Sequence, residues 1–306
     1  MKLATAAAWA VKRSLGSKKK LGNGSNLDGK EKLGNSSSLG DKEKFDNNSS
    51  LCSNEKLNNN GGLVAMEIRA DNGYFAGIGV FETIDVVEGH CVFLASHLER
   101  LNASAKYFQL DKAVSQQEVA EYLEPYGAYS GALKITLSPE NTIFSRRENP
   151  YQTRQDTPGF TLTFSEVRRN ETSPFTYHKT LNRGENAWEK AQAQERGFDE
   201  VIFLNTGGEI AEGAVTNIFF VKEGGIFTPR VSCGLLNGIL RQYVIKNYPV
   251  TETAIHYQAL EKFTECFITN SLMGIMPVQS LGHKNFSQQT TALKLQANYE
   301  REKARL

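Results

Sequence analysis

Two kinds of sequence meet near Met66, and the border between them decides how much of the chain can enter a core. Residues 18–60 repeat with a period of 12. Leu21, Leu33, Phe45 and Leu57 recur in step, as do Leu27, Leu39 and Leu51, among Asn, Ser, Gly and Lys. Twelve residues match neither a coiled-coil heptad nor the usual solenoid lengths. One or two apolar residues per repeat bury too little surface to offset the entropy of ordering. Residues 1–65 are therefore expected to be a disordered extension, a tether or weak binder of anionic surfaces at most. Met66 is a candidate internal start, and all eight prolines lie beyond it.

The formal net charge is +1, but it is unevenly spread. Residues 1–65 carry 11 Lys/Arg against 6 Asp/Glu, and the remainder 24 against 28. A mildly acidic body argues against nucleic acid as a partner. Cys52, Cys91, Cys233 and Cys266 stand far apart with no C-x-x-C pair. They read as reduced thiols of a cytoplasmic protein, with neither a disulfide frame nor a metal site. No apolar run approaches the ~18–20 residues of a membrane helix. The opening Met1–Val11 carries Lys12 and Arg13 after its apolar part, unlike a secretory signal. No membrane partner is expected.

Beyond Met66 the pattern changes. Residues 79–87 alternate like a strand, Glu88-Gly89 is a turn, and 91–94 continues as a second strand. Residues 96–109 place Leu98, Leu101, Ala105 and Phe108 on one helical face, with Ser96 as N-cap. A helix over 115–122 and strands over 132–137 and 160–164 follow, the strands separated by a polar loop, 138–158. The second half predicts helices over 183–196, 238–246 and 287–302, and strands over 200–204, 217–221 and 265–269. This irregular order is α+β or α/β in class without the regular alternation of a dinucleotide fold. Gly77-Ile-Gly79 lacks the third glycine and following helix of a dinucleotide site. The predicted organisation is a tail (1–65), a small α+β domain (66–167) and a larger C-terminal domain (168–306).

Four pieces could carry chemistry. Lys179 lies in Thr172-Ser-Pro-Phe-Thr-Tyr-His-Lys-Thr-Leu-Asn-Arg183, with Pro174, Phe175, Tyr177 and Leu181 as an apolar wall. A lone loop lysine is usually a solvated charge. Desolvation and the neighbouring Arg183 could free its amine to attack an aldehyde. His178 reads as a packing residue. Glu212, 33 residues later in Glu209-Ile-Ala-Glu-Gly-Ala-Val-Thr-Asn-Ile-Phe219, is a carboxylate at a turn that could hold a proton on a heterocyclic nitrogen. Arg100, in His97-Leu-Glu-Arg-Leu101, can grip a phosphate. The loop-to-helix run Gly234-Leu-Leu-Asn-Gly-Ile-Leu-Arg241 offers free N–H groups to an anion, and Asn270 and Ser271 could sit beside it.

Taken together, Gly-Val-Phe-Glu-Thr-Ile84, His97-Leu-Glu-Arg-Leu101, His178-Lys-Thr-Leu-Asn182, Glu212-Gly followed by Asn217-Ile-Phe219, Asn237-Gly-Ile-Leu-Arg241 and Met276-Pro-Val278 resemble the class IV (fold type IV) pyridoxal-phosphate enzymes, in family order over about 66–306. That family includes branched-chain aminotransferases, D-amino-acid aminotransferases and aminodeoxychorismate lyases. The resemblance implies a two-domain fold of the D-amino-acid aminotransferase kind, pyridoxal 5'-phosphate as cofactor, a small-molecule substrate and a homodimer. It implies that Lys179 holds the cofactor and shuttles the proton, Glu212 meets the ring nitrogen and Arg100 the phosphate. Asn217, Gly238, the backbone of Ile239 and Leu240, and Asn270 and Ser271 would complete the cofactor site.

Departures narrow the choice. Branched-chain aminotransferases resemble one another in a tyrosine five residues after the lysine, where this chain has Gly184. The Arg-x-His carboxylate trap of D-amino-acid aminotransferases is replaced by Phe144-Ser-Arg-Arg-Glu-Asn-Pro-Tyr151. The usual Gly-Asp-Gly before the Phe-Glu-Thr strand is Gly77-Ile-Gly79, and the family's first strand and hairpin are missing. The runs Lys-Thr-Leu-Asn-Arg183, Gly-Ile-Leu-Arg-Gln242 and Asn270-Ser-Leu-Met273 look closest to the aminodeoxychorismate lyases. The implied reaction is cleavage of 4-amino-4-deoxychorismate to p-aminobenzoate and pyruvate in folate biosynthesis, with Arg146 and Arg147 as candidates for the substrate carboxylates. Transamination of D- or branched-chain amino acids is the first alternative, and a non-catalytic binding protein on the same fold the second.

Overall fold

The computed structural model describes residues 68–151 and 158–304, and the backbone of 55–57 and 63–65. Apart from those two short pieces, the tail and its expected disorder lie outside the described residues. Glu55–Leu57 and Leu63–Ala65 pair antiparallel.

A four-stranded antiparallel sheet is built from β1 (Val80–Val87), β2 (His90–Cys91), β3 (Gly131–Leu137) and β4 (Thr142–Arg147), in the order β2-β1-β3-β4. Helices α1 (Leu94–Tyr107) and α2 (Gln116–Leu123) join the same core, where Val80, Ile84 and Val86 of β1 pack with Leu98, Leu101 and Ala105 of α1. The second strand expected over 91–94 is shorter because Phe93 turns to a left-handed φ of 54° and α1 starts at Leu94. Ser96 is thus inside the first turn and caps nothing. Ser115 does cap α2, in a capping box with Glu118. Strand β4 lies within the expected polar loop. Its arginines hide an alternation that becomes visible once Ser138 and Asn141 close a tight turn and Phe144 pairs with Ile135.

A nine-stranded mixed sheet takes the rest: β5 (Phe160–Arg169), β6 (Glu200–Asn205), β7 (Ile210–Gly213), β8 (Asn217–Lys222), β9 (Gly225–Pro229), β10 (Val250–Thr253), β11 (Glu265–Asn270), β12 (Gly274–Leu281) and β13 (Lys284–Asn285). The order is β10-β9-β8-β11-β12-β5-β6-β7, with β13 paired to β12. Three pairings are parallel: β9 with β10, β12 with β5, and β5 with β6. Helices α3 (Gly184–Glu195), α4 (Ile239–Asn247) and α5 (Thr290–Lys303) complete this half. Every residue of β6 and β7 is buried, as expected of strands covered on both faces. Although β7 ends the sheet and β8 lies near the other end, a turn closed by Gly213 N–H to Thr216 O joins them directly. The sheet therefore curls, and Glu212 and Asn217 reach one cavity.

The two sheets are stitched at the lysine. Phe81 N–H donates to Lys179 O at 2.9 Å, Leu181 N–H donates to Gly79 O at 2.9 Å, and Val80 bridges Thr180. Residues 179–181 thus pair antiparallel alongside the start of β1. The fit requires glycine at 79, since a Cβ there would lie 2.6 Å from Leu181 Cδ1 and 2.7 Å from Leu137 O.

Candidate active site

Backbone pairing with β1 fixes Lys179 against the side chain of Phe81, with Nζ 4.7 Å from the ring centroid. Its amine faces a cavity of about 460 Å³ and is otherwise enclosed by protein. Burial pulls the ammonium down to about 7; Arg100 and Arg183 push the same way, and Glu82 and Glu212 oppose it in part. A substantial fraction of Lys179 is therefore an uncharged nucleophile at neutral pH.

Glu212 is buried across the cavity at the end of β7. Its Oε2 accepts from Leu236 N–H at 2.8 Å, which fixes the carboxylate plane. Arg169 Nη2 and Arg183 Nη1 lie 3.4 and 3.8 Å from Oε1. That oxygen is buried without a hydrogen-bond partner among the described residues. A buried carboxylate oxygen with a spare acceptor position is suited to a ligand N–H.

Arg100 is held from behind by Glu82, a residue that sequence reasoning quoted in a motif but gave no role. Arg100 Nε and Nη2 donate to the two Glu82 carboxylate oxygens at 2.7 and 2.8 Å, and His97 Nδ1 bonds Glu82 Oε2 at 2.7 Å. His97 and Arg100 share one face of α1 because they are three residues apart. Burial alone would raise the Glu82 carboxyl, but Arg100 and His97 hold it well below the usual range. One Arg100 Nη1 N–H goes to Asn237 O, and the guanidinium keeps two N–H groups for an anion.

The same Asn237 anchors the start of α4. Its side chain accepts from Arg241 Nη1 at 2.7 Å, and Arg241 is itself buried and paired with Glu252 at 2.5 Å. This presents the unpaired first-turn N–H groups at Ile239 and Leu240 to the cavity. Asn217 Nδ2 donates to Leu236 O, and its Oδ1 sits 2.1 Å from where a Gly238 Cβ would be. Gly238→Ala is accordingly expected to overpack the cradle and weaken cofactor binding by about tenfold or more, measured by titrating the apoprotein.

The cavity is lined by Lys179, Arg100, Glu212, Asn217, Gly238, Ile239, Leu240, Asn270 and Ser271. Asn270 Oδ1 is committed to Leu272 N–H and Met273 N–H, so it shapes the turn that presents Ser271. Arg147 also lines the cavity, but Arg146 does not: alternation along β4 turns it away, with its guanidinium 3.2 Å from the Tyr126 ring centroid. Thr216 and Thr269, given no role in the sequence reading, line the cavity with buried hydroxyls that have no hydrogen-bond partner among the described residues. A threonine in a turn or at the end of an apolar strand is a weak signal that sequence alone gave no reason to single out.

Residues 79–281 match the family described as amino-transferase class IV. The chain belongs to this family. Its cofactor is therefore pyridoxal 5'-phosphate, and the spare Glu212 oxygen, the two free Arg100 donors, the α4 N-terminus and the orphan threonine hydroxyls fit that group from ring to phosphate. The class IV chain is 28% identical over 256 residues to the aminodeoxychorismate lyase of Bacillus subtilis, covering 74% of this chain and 86% of that protein. It is 29% identical over 235 residues to a Listeria monocytogenes D-alanine aminotransferase, covering 68% and 80%. The fold matches the 4-amino-4-deoxychorismate lyase structure from Pseudomonas aeruginosa with a TM-score of 0.69 at 24% identity, over 78% of this chain and 96% of that one.

In this class IV enzyme, Glu82→Ala leaves buried His97 and half-buried Arg100 without their partner. It is expected to lower the unfolding free energy of the apoprotein by about 3–5 kcal/mol, read from urea denaturation. Because the Glu82 pKa is depressed by folding, its stabilisation is full above the ordinary carboxylate value of 4.5 and fades as pH falls toward the folded-state value. The gap between wild type and variant should narrow in acid.

Proposed function

We propose that this class IV enzyme is a 4-amino-4-deoxychorismate lyase that releases p-aminobenzoate and pyruvate. The observation that carries the reading is the substrate end of the cavity. Arg147, Pro150 and Tyr151 line that end, and Arg147 supplies a cation for a carboxylate. A cation beside an aromatic wall suits a cyclic carboxylate. The similarity to the Bacillus subtilis lyase supports the same reading.

When bound, the cofactor supplies an aldehyde that condenses with the substrate amine and a protonated ring that withdraws electrons. Lys179, in the neutral form that its lowered pKa makes available, accepts the proton from the amine-bearing carbon. Glu212 would hold the ring nitrogen protonated, and Arg100 with the α4 N-terminus would hold the phosphate. Arg147 orients the substrate by one carboxylate. The carbon–oxygen bond to the enolpyruvyl group breaks, the proton ends on that group's methylene carbon to give pyruvate, and the remaining ring becomes aromatic. The reading carries with it a place in folate biosynthesis, a cytoplasmic location and a homodimer. Among the described residues no helix is long and apolar enough to cross a membrane.

The test is to incubate the cofactor-loaded protein with 4-amino-4-deoxychorismate and follow p-aminobenzoate by chromatography, with pyruvate in equal amount. The comparable similarity to a D-alanine aminotransferase makes transamination the second reading. Amino transfer that needs a keto acid, with no p-aminobenzoate formed, would reject the lyase.

A further inference from the structure

The strand that supplies Phe81 and Thr83 to the cavity carries a third residue on the same face, Asp85, which is buried and does not reach the cavity. Its two oxygens have separate partners. Oδ1 accepts from Asn149 Nδ2 at 3.0 Å, and Oδ2 is 2.5 Å from Lys303 Nζ in the last turn of α5. Asn149 is buried in turn. Its Nδ2 donates also to Leu272 O at 2.9 Å, and its Oδ1 accepts from Tyr151 N–H at 3.0 Å. One amide side chain thus ties together β1, the turn bearing Ser271 and the backbone leading to Tyr151. Pro150, Tyr151 and Leu272 line the cavity, on the side that also holds Arg147.

We propose that Asn149, held in place by buried Asp85 and its ion pair with the half-buried Lys303, is a positioning residue that sets the substrate-facing wall from Arg147 to Tyr151. Nothing in this group touches Arg100, Glu212 or α4, and the Ser271 turn that it reaches through Leu272 O is held independently by Asn270 Oδ1, so its effect falls on substrate binding. The closing helix α5 thereby contributes to specificity through Lys303 without reaching the cavity. An asparagine is suited to the joint because its amide donates twice and accepts once in fixed geometry. A buried aspartate needs the lysine to offset its desolvation. The inference rests on the substrate-end reading above only in assigning that wall to the substrate.

Two variants test it. Asn149→Ala removes the joint, and the double variant Asp85→Asn/Lys303→Met removes both charges together, so that no buried charge is left unpaired. In each, KM for the substrate that the wild type turns over is expected to rise about tenfold with kcat within about twofold, a loss of binding without loss of the chemical step. The cofactor Kd of the apoprotein should stay at the wild-type value, and amide hydrogen exchange at Tyr151 should quicken in the protein without substrate. Wild-type KM with wild-type exchange at Tyr151 would overturn the proposal. So would a fall in cofactor affinity in step with the rise in KM, since that reports general loosening. If neither 4-amino-4-deoxychorismate nor an amino acid is turned over, the functional reading fails, and unchanged exchange at Tyr151 would be what sinks the positioning role.

Discussion

Lys179→Ala is expected to lower turnover by about 10⁴-fold or more while leaving the protein folded. By the proposed reading the variant removes both the amine that captures the cofactor and the base that moves the proton, and a positioned base alone contributes about 10²–10⁴. The backbone bonds that stitch residues 79–81 to 179–181 do not involve the side chain, so the site should survive without it. Borohydride treatment followed by mass measurement should label wild type at Lys179 and leave the variant unlabelled. Label on the variant at another lysine, with turnover retained, would remove Lys179 from its role. The depressed pKa gives a second readout. Covalent capture of the cofactor by the apoprotein should accelerate as pH rises through about 7, well below the ordinary lysine value of 10.5. Stability follows the same linkage. Between about 7 and 10.5 the unfolded chain holds a proton that the folded chain has released, so apoprotein stability should rise with pH across that window. Lys179→Met should flatten that rise and stabilise the apoprotein below it, on the order of a few kcal/mol.

Glu212→Gln is expected to cost about 10²–10³ in rate, the scale seen when one preorganised electrostatic partner is removed. Glutamine can still accept from Leu236 N–H, so the side chain should stay in place. What it loses is the charge that keeps the ring nitrogen protonated. The same change leaves Arg169 and Arg183 facing a neutral amide at 3.4 and 3.8 Å. Arg169 is buried and lies 3.8 Å from the Phe203 ring centroid, so it cannot turn to water without unpacking. Arg169 keeps Glu185 at 3.2 Å, so a smaller drop in apoprotein stability, about 1–3 kcal/mol, should accompany the rate loss, measured by urea denaturation. A variant with wild-type rate and wild-type stability would show that Glu212 is neither the ring partner nor the counter-ion.

The elements that sequence patterns located best were those with strong local signals. Helix α3 stops at Gly197 as expected, and β8 and β11 were legible as apolar runs within a residue or so. The failures had local causes too. Polar β4 read as a loop because its partner β3 supplies most of the burial, and the start of α1 was misplaced because Phe93 adopts a left-handed φ that no sequence pattern announced. Strand β5 runs on to Arg169 instead of stopping near 164, and its far end places Arg169 beside Glu212.

By itself the sequence singled out the residues that the proposed reading assigns to the cofactor. An amine among apolar neighbours, a carboxylate before a glycine, an arginine on a helix face and a glycine opening another helix are each written in residues close together in the chain. Their order matches one family, and the fold brings them to one cavity. Only the tertiary structure decided which groups stand behind them. Glu82 behind Arg100, the choice of Arg147 over Arg146, the threonine hydroxyls and the Asp85–Asn149–Lys303 joint depend on which way side chains point and on contacts 64 and 123 residues apart. Local propensity and spacing carry no information about such partners, because burial and pairing are set when distant strands close on one another.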